Sequence, residues 1–363
     1  MTSIHHEQAR SASLLRASID FRAVLHNVTY LRAMLRQNDM WLPSPTRMRR
    51  STVKRGQGHS SSTRIWATVK ANAYGHGVAR VLSGLGDVDG PAVLDIDDLI
   101  YRRNAGWTGP MMLYLGLRSL EQLEWLRYLP DGSRPSVWLR FTGDTNYVGF
   151  DAASYKAAYH LARALQRAGS INLVGHMNHY ASAQDQHEMF ASHERFAKTI
   201  EGLPGPISTC NSGAILSCPR HAAETNWVRP GLMLKTGPQL GLRPAMSLHS
   251  RLVGVRHLPA GTSIGYDESF RTASAMRMGL VSCGYAFGYP RQAGTGTPVL
   301  VEGRRTRVLG NVSMDLMAVD LTPIPHASLR TPLLSGAQST CLLKGWPGMR
   351  APFQPRFSLA YPL

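Results

Sequence analysis

Lys70 closes a run of buried character, Ile65-Trp66-Ala67-Thr68-Val69, and is followed at once by a turn through Gly75 and Gly77. The β-branched and aromatic content of the run predicts a strand covered on both faces. A lysine at the end of such a strand is partly desolvated. Desolvation disfavours the ammonium, so the amine becomes available as a nucleophile toward a carbonyl carbon and as a general base; a lysine that merely reaches water is the plainer alternative. Other strand ends carry polar chemistry as well. Asn211-Ser212-Gly213, ahead of Ala214-Ile215-Leu216, could offer backbone N–H groups to an anion or simply cap a helix. Arg229, ahead of Pro230-Gly231-Leu232, offers a guanidinium to a ligand or to a surface ion pair. His176 and His179 lie in a strand-like stretch without H-E-x-x-H spacing, and His187-Glu188 finds its next histidine at His193, in the wrong helical phase for a metal.

The stretch Val69-Lys70-Ala71-Asn72-Ala73-Tyr74-Gly75-His76-Gly77 resembles the cofactor-binding signature of alanine racemases. The resemblance implies that Lys70 carries pyridoxal phosphate (PLP) and that Tyr74 binds its phosphate, together with Ser212 and the N–H groups of Gly231 and Leu232. It implies that Arg229 faces the pyridine nitrogen and that His179 links Arg229 to a second base. Racemisation needs groups on both faces of the reacting carbon, because a base that returns its own proton to the same face achieves nothing. Ala260-Gly261-Thr262-Ser263-Ile264-Gly265-Tyr266 resembles the "PAG…GY" segment of the family, which implies Tyr266 as the second base, supplied by the partner subunit of a head-to-tail homodimer with shared active sites. Cys283 to Arg291 resembles "GYADGYPR" and Gly310 to Asp315 resembles "G-x-V-[SC]-M-D-Q", which implies Tyr285 and Met314 at the substrate entry and carboxylate site. The implied function is a PLP-dependent racemase interconverting L-alanine and D-alanine, supplying D-alanine for peptidoglycan.

The chain departs from the family pattern at several points. Tyr147 occupies the substrate-binding position of an arginine that contacts the substrate carboxylate, and Arg140 replaces the lysine that positions that arginine. Loss of a charge-assisted contact of that kind costs about 1.5–3 kcal/mol. Tyr180 takes the place of a common phenylalanine and Phe287 that of an aspartate. Residues 321 to 363 hold seven prolines and no carboxylate, unlike the family's C-terminal strand. These departures leave a catalytically impaired PLP-binding relative as the alternative expectation.

The elements that must position these residues follow a clear pattern. Ala17–Asp20 reads as a strand, followed by an amphipathic helix with Val24, Leu25, Val28, Leu31, Met34 and Leu35 on one stripe. Strands are expected at 65–70, 92–96, 111–115, 136–141, 173–179, 207–211 and 227–234, with helical stripes between most of them. This is an α/β arrangement, a parallel (β/α) barrel of TIM type that lacks one unit. After residue 245 the short runs 250–255, 280–283, 298–301, 306–309 and 316–320 read as an antiparallel β domain. The expected domains are a PLP-binding barrel over 14–240 with an inserted basic loop at 37–63, a β domain over 241–322, and an atypical tail over 323–363.

Composition narrows the function classes. With 363 residues and 43% hydrophobic content the chain can bury two cores. Part of the formal charge of +17 sits in the basic loop and part in a final stretch without acids, a distribution that does not favour nucleic-acid binding. Four scattered cysteines exclude a disulfide framework and a zinc cage. No membrane-length apolar run and no leader-like start are found, so a cytoplasmic enzyme with no membrane partner and no bound metal is expected.

Overall fold

The computed structural model describes residues 15–336, apart from 40–62, 95, 105, 115–118, 129–133, 147, 236–240 and 330. Most of the basic insert, Tyr147, Cys341 and the tail beyond 336 therefore lie outside the described residues. No helix among those described is long and apolar enough to cross a membrane. The chain divides into two compact units, one of Leu25–Ala73 with Leu85–Leu234, the other of Tyr74–Gly84 and Lys235 onward with the residues up to Val24.

In the first unit seven parallel strands, β2 (Arg64–Thr68), β3 (Gly90–Val93), β4 (Met112–Leu113), β5 (Ser136–Arg140), β6 (Leu173–Met177), β7 (Ile207–Asn211) and β8 (Trp227–Arg229), lie in the order β4-β3-β2-β8-β7-β6-β5. The order has two ends, β4 and β5, and no strand among the described residues joins them. The expected shortfall of one βα unit is thus seen as a curled sheet open between these edges. Six of these strands are shorter than expected, and β8 falls furthest short. Pro230-Gly231 ends β8 at Arg229, and Leu232–Leu234 forms a 3-10 turn rather than extending the strand.

Strand alternation divides the side chains between two cores. On β5, Val137 and Leu139 face outward into a cluster with Tyr155, Ala158, Tyr159, Ala162 and Leu165, the buried stripe of helix Ala152–Arg167. That helix starts where it does because the Asp151 carboxylate accepts the Ser154 N–H at 2.8 Å, a cap worth about 1 kcal/mol. Trp138 faces the other way, into an interior cluster with Trp66, Ala92, Met112, Tyr114, Met177 and Trp227. Glycines make room for these rings. A Cβ on Gly90 would lie 2.4 Å from the Trp66 ring, and one on Gly175 would lie 2.6 Å from that of Trp138.

The second unit is built on antiparallel strands. β9 (Met246–Leu258), β12 (Met276–Val281), β15 (Met317–Asp320), β14 (Arg304–Leu309), β13 (Pro298–Val301) and β16 (Pro332–Gly336) pair in that order, and β16 also pairs with β9, closing a six-stranded barrel. Leu252, Val281, Val299, Val301, Val308, Val319 and Leu333 are buried within its main core. β16 comes from the stretch expected to be an atypical tail. β1 (Arg16–Ile19), expected in the barrel domain, instead pairs antiparallel with β9 from Arg16↔His249 to Ile19↔Met246. A short hairpin of β10 (Ser263–Ile264) and β11 (Phe270–Arg271) completes the unit.

Candidate active site

The interior cluster sets the place of the polar residues. Trp66, Met112, Trp138, Met177 and Trp227 form an apolar layer, and two residues further along each strand stand Thr68, Tyr114, Arg140, His179 and Arg229. A period of two puts all five on the same interior side, at the carboxyl ends of the strands, where parallel sheets place their sites. Lys70 lies two residues beyond Thr68. Its ammonium stands over the Tyr114 ring at 5.7 Å, and the Tyr114 hydroxyl is 3.2 Å from that of Thr68.

Electrostatics bind this layer together. Lys70 keeps solvent access, yet its pKa is lowered, first by burial of the amine and then by repulsion from Arg140 and Arg229. His179 is pushed down to about 3 by burial and then by Arg229, Arg140 and Lys70, so it is neutral at ordinary pH. Arg229 is buried and donates from Nη1 to the Ser208 hydroxyl at 2.6 Å and from Nη2 to the carbonyls of Asn178 at 2.5 Å and Thr209 at 3.3 Å. The charges that act on Lys70 and His179 among the described residues are the cations Arg140 and Arg229, with Lys70 itself acting on His179.

The turn after β8 meets the start of helix Ser212–Ser217. Ser212 Oγ accepts the N–H of Gly231 at 2.9 Å and of Met233 at 3.2 Å, which leaves its own O–H to donate. Leu232 lies between these two donors. Asn211 caps the helix, accepting the Ala214 N–H at 3.1 Å. The expected set Lys70, His179, Ser212, Arg229, Gly231 and Leu232 therefore falls on the carboxyl ends of β2, β6, β7 and β8.

Between Lys70 and Tyr74 the backbone takes an unusual path. Ala71 (φ 52°, ψ 54°), Asn72 (φ 51°, ψ 48°) and Ala73 (φ 54°, ψ 45°) are left-handed, and Tyr74 follows at φ 58°. Each such residue costs about 1–2 kcal/mol relative to a right-handed turn. The Ala73 N–H, donating to the Val69 carbonyl at 2.8 Å, helps hold the turn in place. Tyr74 belongs to the second unit, where the ammonium of Lys235 stands 4.5 Å from its ring centre. Lys235 is fully buried, and burial pushes its pKa down to about 7.

Three loops of the second unit converge. The Asn311 amide reaches the Tyr266 carbonyl at 3.4 Å, and the N–H groups of Tyr285 and Ala286 donate to the carbonyls of Ser313 and Met314 at 3.0 Å. The result is a surface on which Tyr266, Tyr285, Phe287 and Met314 are all exposed, Tyr266 to 69%. Tyr147 lies outside the described residues.

Sequence reasoning missed Lys235, Tyr114 and the interior placement of Arg140. Lys235 carried the signal used for Lys70, a lysine directly after an apolar run, Leu232-Met233-Leu234.

Comparison with known proteins agrees across both units. The family model described as "Alanine racemase, N-terminal domain" matches residues 49–237, and "Alanine racemase, C-terminal domain" matches 245–342. The alanine racemase of Bordetella petrii is 38% identical over 350 residues, covering 88% of this chain and 89% of that protein. That of Cupriavidus metallidurans is 42% identical over 304 residues, covering 75% and 81%. The crystal structure of the biosynthetic alanine racemase of Pseudomonas aeruginosa superimposes with a TM-score of 0.70 at 32% identity, covering 89% of this chain and 90% of that one.

Proposed function

The chain belongs to the alanine racemase family, and from that premise we propose that it interconverts L-alanine and D-alanine using pyridoxal phosphate held on Lys70. The observation that carries this reading is the polar layer: a lysine with a weakened hold on its proton, two arginines and a neutral histidine on the interior side of one sheet. This donor set fits the cofactor. An aldehyde needs an amine that can lose its proton, and a phosphate dianion needs cations and hydroxyl or N–H donors. Ser212 and the Gly231-Leu232 turn, with Tyr74 one turn beyond Lys70, are the groups assigned to that phosphate.

When bound, the cofactor draws electron density from the substrate and so acidifies the Cα–H bond. The rest is done by the chain's own side chains. The Lys70 amine accepts or returns the proton on one face of Cα. The partner subunit's Tyr266 serves the opposite face, which makes the exchange of configuration possible. Arg229 keeps its own proton at ordinary pH and so presents only donors to the ring nitrogen, held there by Ser208 and the Asn178 carbonyl. Tyr285 and Met314 border the alanine, and Tyr147 is assigned to the same substrate site on the family resemblance alone. The exposed surface formed by Tyr266, Tyr285, Phe287 and Met314 supports a homodimer in which each copy completes the other's site. The product serves peptidoglycan synthesis, in the cytoplasm.

The test uses purified protein with L-alanine, following D-alanine by a chiral assay and the cofactor by its visible absorbance. Lys70→Ala and Tyr266→Phe are each expected to lose activity, and Lys70→Ala also the absorbance band. Mixed dimers of the two variants carry one intact site, so co-expression is expected to restore about a quarter of wild-type activity. Absence of any restoration would refute the shared site, and a band surviving Lys70→Ala would refute the lysine's role.

A further inference from the structure

Tyr180, whose family counterpart is commonly a phenylalanine, has a fully engaged hydroxyl. Its oxygen lies 2.9 Å from Nε2 of His221 and 3.1 Å from Nδ1 of His193. The two imidazoles meet edge to face with centroids 4.5 Å apart. On its far side, Nδ1 of His221 lies 3.4 Å from the Glu224 carboxylate. Proton directions follow from this order. An ionised carboxylate only accepts, so His221 carries its proton on Nδ1 and leaves Nε2 as an acceptor. Tyr180 therefore donates to His221 and accepts from the Nδ1–H of His193. Both histidines are held neutral, pushed down to about 4, mainly by burial.

The chain joins three elements. His193 sits on helix Gln186–Thr199, His221 on helix Pro219–Glu224, and Tyr180 just beyond the end of β6. The backbone of Tyr180 is tied as well, because its carbonyl accepts from the Asn211 amide at 3.0 Å. Asn211 immediately precedes Ser212. On the other side of His179, the Asn178 carbonyl accepts from Arg229. His179 is thus bracketed by two anchored residues, one of which also fixes the approach to Ser212.

We propose that the Tyr180 hydroxyl is a positioning group for the reaction: by bolting residues 178–180 to two outer helices it fixes His179 on one side and Ser212 on the other. The roles of His179 and Ser212 rest on the function proposed above; the bolt itself does not. A phenylalanine at this position leaves the buried His221 and the half-buried His193 without their shared partner, so the hydroxyl and the histidines act as a unit in this chain.

Tyr180→Phe removes one oxygen and keeps the ring. In the holoenzyme, cofactor release after dilution, read from the visible band, is expected to accelerate about tenfold. The kcat is expected to fall by a similar factor while KM for alanine stays within about twofold. Amide hydrogen exchange is expected to quicken at 179–182 and 211–214. His221→Leu is expected to reproduce these effects, the double variant to be no worse than either single one, and His221→Gln, whose amide can still meet the hydroxyl, to recover most of the loss. A lowered melting temperature with cofactor release, kcat and exchange at both segments unchanged would overturn the proposal. Where the unmodified protein fails to racemise alanine, the function reading falls instead, and hydrogen exchange in Tyr180→Phe alone decides whether the bolt exists.

Discussion

Trp66 lies flat against Trp227, with ring centroids 4.1 Å apart and planes 9° from parallel. Trp138 meets the pair edge-on at 6.2 Å. These rings support the residues that follow them, Thr68 at the end of β2 with Lys70 just beyond it, and Arg229 at the end of β8. Trp227→Ala is expected to destabilise the protein by about 3–5 kcal/mol in urea unfolding, through loss of burial and the cavity left behind. Gly90→Ala is expected to be costly for the converse reason, since its Cβ would lie 2.3 Å from the Pro110 carbonyl oxygen and 2.4 Å from the Trp66 ring.

The left-handed turn after Lys70 makes a prediction about sign. Ala71 is exposed and held at φ 52°, so Ala71→Gly relieves backbone strain without removing a packed side chain. Stability is expected to rise by up to about 1 kcal/mol, whereas Ala71→Val, β-branched in the same conformation, lowers it by more. Denaturant midpoints of the two variants check both directions.

Lys235 ties stability to alkaline pH. Its folded pKa of about 7 lies below the ordinary lysine value of 10.5, so between these values the unfolded chain binds more protons than the folded one. Lys235 therefore makes stability greatest above pH 10.5 and progressively lower as pH falls toward 7. The slope is expected to amount to a few kcal/mol across the window and to disappear in Lys235→Met, as measured by unfolding at several pH values.

His193 and His221 act in the acid range. Both have folded pKa values of about 4 against 6.5 for the free side chain, so stability is lost as pH falls from 6.5 toward 4. At pH 5 each is expected to cost about 1–2 kcal/mol relative to pH 7. Melting temperatures of the His193→Asn and His221→Gln variants are expected to fall less steeply on acidification than that of the unmodified protein.

The sequence exposed the parallel strands because their apolar runs are broken by helical stripes, and it exposed Lys70, His179, Ser212 and Arg229 because each stands at or just beyond a strand end. The open edge between β4 and β5 was also legible, from a missing βα unit. What it concealed depends on pairing at a distance. Nothing local in Arg16–Ile19 signals that it adds to β9, and nothing local in Pro332–Gly336 signals that it closes a barrel. The left-handed path through Ala71, Asn72 and Ala73 is invisible for a different reason, since none of the three is the glycine that usually marks it. Tyr180 read as a mere substitution because its partners, His193 and His221, lie 13 and 41 residues away along the chain.

The pairing of β1 with β9 has a consequence for synthesis on the ribosome. Arg16 stands opposite His249, so the first strand emerges long before its neighbour exists. At about 5–20 residues per second the interval is roughly 10–50 s, ample for the intervening βα units to collapse first. Over that time β1 is an unpaired ribbon, and its capture by β9 becomes a late event of maturation that a truncated nascent chain cannot undergo.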